Sequence, residues 1–492
     1  KDTGSYDWGL VGAFYRISYS YKGKYLFETS GRYDGNSKFP SNQRWGFFPS
    51  GSAGWRISEE SFLRNAEWLD NLKLRISVGS AGNGLISDTY AYLSTMSISQ
   101  SSLLNNGSVF NYTAAPSPIP DGLTWETATT YDLGVDFEAF NGRLNFSADI
   151  YRKKTTDMYV VGEELPAVYG NSAPKGNYAD MHTDGWEASI SWRNTHTVGG
   201  KPLSYNIKVS VWDNTSKITR YTSKTGTLPT NYKVNYYEGM TLGEIWGYQI
   251  DGLFQTDEEA AAYQAEIDHS LIAKNILQTA TGKYKGLKAG DPKFVDLDGN
   301  GRIDDGEKTA NNRGDMRIIG NSRPRYNYSG SINLGWNGFD ISAFFQGVGR
   351  QHRYPDGNNM MFWGGFARPY SSFVPANFLD NVWSEDNPDA YFPKLRGYAA
   401  QGDRHLAKVN DRYLQNTAYC RLKNLTVGYT LPADLTRKAR IDRVRVYFSG
   451  DNLATWTALK SKYIDPEQFS TDGSARVYPF AKTFSFGLDI TF

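Results

Sequence analysis

The chain lacks most of the usual signs of a chemical site. It has one cysteine, Cys420, in 492 residues. That excludes a disulfide scaffold and a multi-cysteine metal centre. Its five histidines (His182, His196, His269, His352, His405) are far apart and form no ligand-spaced pair. The formal net charge is only +1, so a strongly basic nucleic-acid footprint is excluded and no nucleic-acid partner is expected. No uninterrupted apolar run approaches the roughly 20 residues of a spanning helix. No export signal is present in these residues. The chain opens with Lys1-Asp2-Thr3-Gly4 and enters an aromatic strand pattern almost at once. It is therefore expected to be a processed chain or part of a longer one. Nucleophile-elbow, phosphate-loop and dinucleotide glycine patterns are absent, so no catalytic residues and no enzyme activity are expected.

Aromatic residues are plentiful, at 15% of the chain, which excludes a disordered polymer. They sit in alternating runs. In 326–336, Tyr326, Tyr328, Ile332, Leu334 and Trp336 share one parity, against Asn327, Ser329, Ser331 and Asn333. Asn337-Gly338 follows, then Phe339, Ile341 and Ala343 against Asp340 and Ser342, with one break of parity at Phe344. A two-residue Asn-Gly turn between alternating runs predicts a type I′ hairpin. Similar runs occupy 8–34, 44–57, 70–80, 88–98, 137–150, 182–195, 203–212, 417–430, 442–455 and 480–492. About fourteen or fifteen strands are predicted, many longer than the usual five or six residues. The chain closes on Phe484, Phe486, Leu488, Ile490 and Phe492, alternating with Ser485, Gly487, Asp489 and Thr491. Such a strand suits closure against another strand, because open edges are not left in lipid. Tyr15, Tyr19, Tyr25, Trp45, Trp336 and Tyr447 are candidates for interfacial girdles.

Between the strands lie segments rich in Gly, Asn, Asp, Pro and Thr: 99–124, 156–181, 213–241, 251–323 and 351–416. Short turns alternating with long insertions suit a transmembrane β-barrel with external loops. A soluble β-sandwich, jelly roll or propeller is the competing architecture; even blade repeats are missing. Thr256-Asp257-Glu258-Glu259 reads as a capping box before a short helix over 260–267.

One stretch carries metal chemistry. Counting Asp296 as position 1 puts Asp298 at 3, Asn300 at 5, Gly301 at 6, Arg302 at 7, Asp304 at 9 and Glu307 at 12. This is the register of a twelve-residue calcium loop: hard oxygens at 1, 3 and 5, a sharp glycine turn, a backbone carbonyl at 7 and a closing glutamate. Ile303 would anchor the loop inward. The flanking helices of that motif are missing, so a structural calcium ion in an isolated loop is expected. The bland reading is an exposed acidic turn.

Several blocks resemble the SusC/RagA family of TonB-dependent outer-membrane transporters. They include Arg32-Tyr33-Asp34-Gly35-Asn36-Ser37-Lys38-Phe39, Trp45-Gly46-Phe47-Phe48-Pro49-Ser50 and Gly54-Trp55-Arg56-Ile57. Others are Leu72–Gly79, Tyr131-Asp132-Leu133-Gly134, Gly185-Trp186-Glu187, Asp251-Gly252-Leu253-Phe254, Gly290-Asp291-Pro292 and Arg421–Tyr429. The resemblance implies an all-β fold: the C-terminal part of a 22-stranded transmembrane antiparallel barrel with long extracellular loops. Residues 1–492 would be barrel. Residues 251–323 would be an extracellular insertion with a short helix and the calcium-type loop, and 351–416 a second long insertion. The N-terminal plug and TonB box would lie outside this chain. The implied function is uptake of oligosaccharides or peptides through a TonB-energised, lipoprotein-capped pore in the outer membrane of a Gram-negative, Bacteroidota-like cell. The implied partners are the N-terminal portion of the same transporter, a SusD-like surface lipoprotein, TonB, outer-membrane lipid and a glycan or peptide solute. Trp363 and Phe366 are candidates for stacking on that solute. A secreted or surface β-rich glycan-binding or adhesion protein is the alternative.

Overall fold

The computed structural model describes residues 7–84, 91–94, 96–113, 116, 118–120, 122–163, 165–222, 228, 235–273, 286–372, 374–402, 404–469, 477–478 and 480–492. Thirteen strands form one sheet in chain order. They are Leu10–Tyr21 (β1), Tyr25–Asn36 (β2), Trp45–Arg56 (β3), Leu69–Asn83 (β4), Glu126–Ala139 (β5), Leu144–Val161 (β6) and Lys175–Val198 (β7). Lys201–Tyr221 (β8), Arg325–Trp336 (β9), Phe339–Arg350 (β10), Tyr419–Thr430 (β11), Arg443–Thr457 (β12) and Thr483–Thr491 (β13) complete it. The chain divides into two compact units. One holds Lys1–Ser191, Trp212–Thr225 and Tyr236–Leu242, and the other holds Trp192–Val211, Gly226–Asn235 and Gly243–Phe492.

Alternation along each strand becomes two-facedness through the register. In the first unit, Tyr19, Phe27, Ala53, Ile76, Leu133 and Ile150 pair in succession across six strands. The neighbouring row is Ser18, Glu28, Ser52, Ser77, Asp132 and Tyr151. In the second unit, Trp336, Phe339, Tyr429, Val446 and Leu488 form one row, and Leu334, Ile341, Val427, Phe448 and Phe486 the next on the same face. Between them on the opposite face run Asp340, Gly428, Tyr447 and Gly487. Phe27, Ile76, Leu133, Ile150, Phe486 and Leu488 are all exposed. Rows of exposed apolar side chains this wide mark a surface that meets something apolar.

The turns follow from their residues. Asn337 and Gly338 have φ of 47° and 87°, as a type I′ turn requires at both central positions. On one side the connections are tight turns (22–24, 140–143, 199–200, 337–338) or twelve-residue links (57–68, 431–442); on the other they run from 37–44 to the long excursions 84–125, 162–174, 222–324, 351–418 and 458–482.

Five expectations change. Of the strand expected over 88–98, residues 88–90 and 95 lie outside the described residues, and among the described ones only Ile98 is in a strand, where Ile98–Asn105 pairs with Ser108–Thr113 in a separate hairpin. The insertions expected over 156–181 and 213–241 are shorter, because β6 and β7 extend into the first and β8 into the second. Phe344 does not break β10: it pairs with Ser331 and Asn424, and is an aromatic on the polar face. The irregularity belongs to β11, where the register skips Lys423. Tyr447 also lies on the polar face, over Gly487 and under the Arg445 guanidinium, so it joins no lipid-side girdle.

Candidate functional site

The described residues of 243–324 and 351–418 fold into one body within the second unit. Asp257–Glu266 (α1) starts where Thr256 Oγ1 accepts the Glu259 amide at 3.1 Å, while Glu259 Oε2 accepts the Gln255 amide at 2.8 Å. Tyr263 on α1 packs edge-on against buried Phe254 and donates to the Phe294 carbonyl at 2.9 Å. The two excursions are stitched by backbone bonds: Tyr248 N to Val409 O at 2.9 Å and Lys394 N to Gly290 O at 2.8 Å. An ion pair between buried Asp291 and half-buried Arg396 clasps them. Arg396 donates twice to Asp291, at 2.9 Å each. Burial pushes the Asp291 carboxyl up, and Arg396 pulls it back.

Trp363 and Phe366 lie in the centre of this body, each 0% exposed. Trp363 meets Phe362 at 4.8 Å and Tyr413 at 5.3 Å, and its Nε1 donates to the Pro355 carbonyl. Phe366 meets Phe392 at 5.7 Å. Their faces are covered, so they pack the loop core and offer no surface for a solute to stack on. This corrects their assignment as binding aromatics.

The 296–307 loop folds on its own carboxylates. Asp296 accepts the amides of Gly299 and Gly301, both at 2.8 Å. Asn300 Oδ1 accepts the Arg302 amide at 2.8 Å, and Asp304 Oδ1 accepts that of Gly306 at 2.9 Å. Gly301 has φ of 76°, a left-handed turn that suits glycine. Ile303 is buried, and the segment is held by Asp268 N to Gly301 O at 2.8 Å and Ile303 N to Asp268 O at 2.9 Å. Asp296, Asp298 and Asp315 bring carboxylate oxygens within 4.8 Å of one another. Asp304 and Glu307 are not in that group; Glu307 is exposed, and its amide donates to the Asn312 carbonyl. Asp315 was not found by spacing, because it lies eight residues beyond the twelve-residue register. Its buried carboxylate accepts Leu297 N at 2.6 Å and Asp304 N at 2.8 Å. Burial pushes this carboxyl up, the two amides oppose that, and Asp298 and Asp296 add to it. Three hard carboxylates without a basic ion-pair partner among the described residues fit a divalent cation, while Asn300 meets Asp298 through its Nδ2 and turns its Oδ1 to the Arg302 amide.

On the polar face of the sheet, guanidiniums bridge carboxylates across strands. Arg75 donates to Asp136 and Asp149. In the other unit Arg445 donates to Asp340 and Asp489. Polar groups paired across one face and apolar rows on the other are the pattern of a wall between lumen and lipid.

Residues 1–453 match the family described as TonB dependent receptor-like, beta-barrel. The chain belongs to this TonB-dependent receptor barrel family. TonB-dependent receptor P3 of Formosa agariphila is 30% identical over 98% of this chain and 45% of its own length. TonB-dependent receptor SusC of Bacteroides thetaiotaomicron is 28% identical over 98% of this chain and 44% of its own length. A structure of the RagAB peptide importer covers 99% of this chain and 47% of its own, with a TM-score of 0.70 at 21% identity. That likeness concerns the fold. The receptor barrel is thus of the SusC/RagA type and resides in the outer membrane. The chain spans under half the length of the curated relatives it matches.

Proposed function

We propose that this chain is the barrel portion of an outer-membrane nutrient importer that takes up oligosaccharides or peptides. The observation that carries the reading is the sheet itself: uninterrupted apolar rows on one face and charged, cross-bridged rows on the other, in a chain of the TonB-dependent receptor family. The apolar rows face lipid. The polar rows line the solute path. Relatives more than twice as long support a preceding portion that supplies the remaining strands, the plug and the contact with TonB.

In this reading the clasped body built from 243–324 and 351–418 stands outside the membrane, since long loops of such barrels are external. Exposed Tyr370, Leu379 and Leu395 on its surface suit a surface lipoprotein of the SusD type as a lid. Asp296, Asp298 and Asp315 would hold a calcium ion. The ion would supply charge compensation and stiffness to the body, with no part in bond chemistry.

The test is nutrient uptake by cells carrying the full-length protein, with and without TonB. Uptake that stops without TonB is expected; unchanged uptake would contradict the importer. Copurification of a surface lipoprotein in detergent is the expected companion result.

A further inference from the structure

We propose that the outer face of β6, beside β7, holds the phosphate of an outer-leaflet lipid headgroup through Arg152 and Lys154. The inference goes beyond the importer reading and rests on its assignment of the apolar rows to lipid.

The register isolates these two residues. Above the row from Tyr19 to Ile150 lie Ile17, Thr29, Gly51, Val78, Tyr131 and Arg152. Above that lie Ser80, Thr129 and Lys154. Arg152 and Lys154 are the only charged members of these three rows, and both are exposed. β6 is paired on both sides, by β5 and β7, so strands added at the sheet edges do not reach them.

Their height follows from strand geometry. Lys154 is ten residues above Leu144, where β6 leaves its tight turn. At about 3.4 Å per residue and a tilt of roughly 40°, that rise is about 25 Å along the membrane normal. The apolar band of such barrels is about 25 Å tall. The two cations therefore stand at the headgroup level, on the side of the long excursions. Tyr131 is exposed beside Arg152, and Trp186 is exposed two residues below Asp184 on β7. Aromatics at that depth form the interfacial girdle.

The side chains are set for an anion. Arg152 donates through Nε and Nη2 to the two oxygens of Asp184, the second at 2.8 Å. That fixes the guanidinium and leaves its Nη1 without a hydrogen bond among the described residues. Lys154 Nζ lies 5.8 Å from the centre of the Tyr131 ring and makes no ion pair among the described residues. The carboxylates around it are taken. Asp184 is held by Arg152, with His182 Nε2 3.6 Å away, and Asp157 and Asp180 are held by Arg220. Residues two apart on one strand face are about 7 Å apart, close enough for two long cationic side chains to converge on one phosphate. A lysine that only snorkels to water would show no preference between headgroups.

The test is native mass spectrometry of the full-length protein, released from detergent after incubation with phosphatidic acid and phosphatidylcholine of the same acyl chains. Preferential retention of phosphatidic acid is expected. Lys154→Gln is expected to lower that preference about tenfold, the worth of one hydrogen bond to a charged group. Arg152→Gln is expected to lower it as well, which keeps the inference testable if either variant fails to insert. Equal retention of both lipids, retention of neither, or a preference unchanged in both variants would overturn the site. Displacement of phosphatidic acid by millimolar inorganic phosphate would assign the site to a free ion and overturn it too. Uptake that does not depend on TonB, with the lipid preference intact, overturns the importer and leaves the headgroup site standing.

Discussion

Trp363 shows how much of the external body depends on single side chains. Truncation to alanine leaves a hole among Phe362, Tyr413 and Phe392, and large-to-small core changes of this kind cost about 3–5 kcal/mol. The expected outcome for Trp363→Ala is faster amide exchange across 351–418 with unchanged protection in β9 to β12. Unchanged exchange in the loops would mean the ring is dispensable to their packing. The acidic loop makes a second residue-scale prediction. Asp315→Asn is expected to weaken calcium binding by at least about tenfold, and Glu307→Gln to weaken it less, because Asp315 shares the carboxylate group and Glu307 stands apart. Calorimetry at millimolar calcium decides the order. The reverse order would restore Glu307 as the closing ligand. The sequence located this loop through the spacing of Asp296, Asp298 and Asn300. It did not reveal Asp315, whose role comes from the chain doubling back after Asn312.

At the scale of elements, α1 depends on its first turn. Thr256→Ala removes the acceptor for the Glu259 amide and is expected to cost about 1 kcal/mol. The same turn sets a pH dependence. The Ala289 amide and Lys288 hold the Asp257 carboxyl below its ordinary value, and the Gln255 amide holds that of Glu259 down. Folded values below the unfolded ones give stabilisation that is full above about pH 4.3 and is lost as pH falls through the folded values. Exchange in 257–266, corrected for intrinsic rates, is expected to quicken below that point; a flat profile would remove the carboxylates from the account. The strands make a different prediction. Leu488 sits one residue from the centre of the nine-residue β13, in the row with Val446 and Tyr429. Leu488→Arg is expected to destabilise the membrane-embedded protein by roughly 2–4 kcal/mol, read by urea unfolding in lipid. No loss would place Leu488 off the lipid face. Strands such as β9, β10 and β13 were legible because their period of two is written in local sequence. The hairpin over 98–113 and the clasp of Asp291 with Arg396 were not, since short pairings and contacts across 105 positions leave no local period.

For the whole molecule, the rows of side chains matter more than any one of them. The sheet keeps its polarity through register from Tyr19 to Ile150 and from Trp336 to Leu488, and a slip of one residue in any strand would turn its apolar set into the lumen. Among the described residues no strand pairs with the outer edge of β1 or β13, and lipid does not tolerate an open edge. Partner strands are therefore expected on both edges in the full-length protein, from the same portion that carries the plug. The assignment of Trp363 and Phe366 to the solute failed for a reason at this scale. Aromatic residues in a long loop signal either a ligand surface or a core, and only the folding of two distant excursions onto each other decides between them.

The most direct test is nitroxide scanning of 484–490 in the full-length protein in lipid, with Cys420 replaced by serine so that this chain carries one label at a time. Labels at Phe484, Phe486, Leu488 and Ile490 are expected to be accessible to oxygen and shielded from a water-soluble relaxing agent. Labels at Ser485, Gly487 and Asp489 are expected to show the opposite. An alternating profile with that sign establishes the lipid and lumen faces. A profile with no alternation, or with Leu488 and Phe486 on the water side, would contradict the barrel wall on which the importer reading rests.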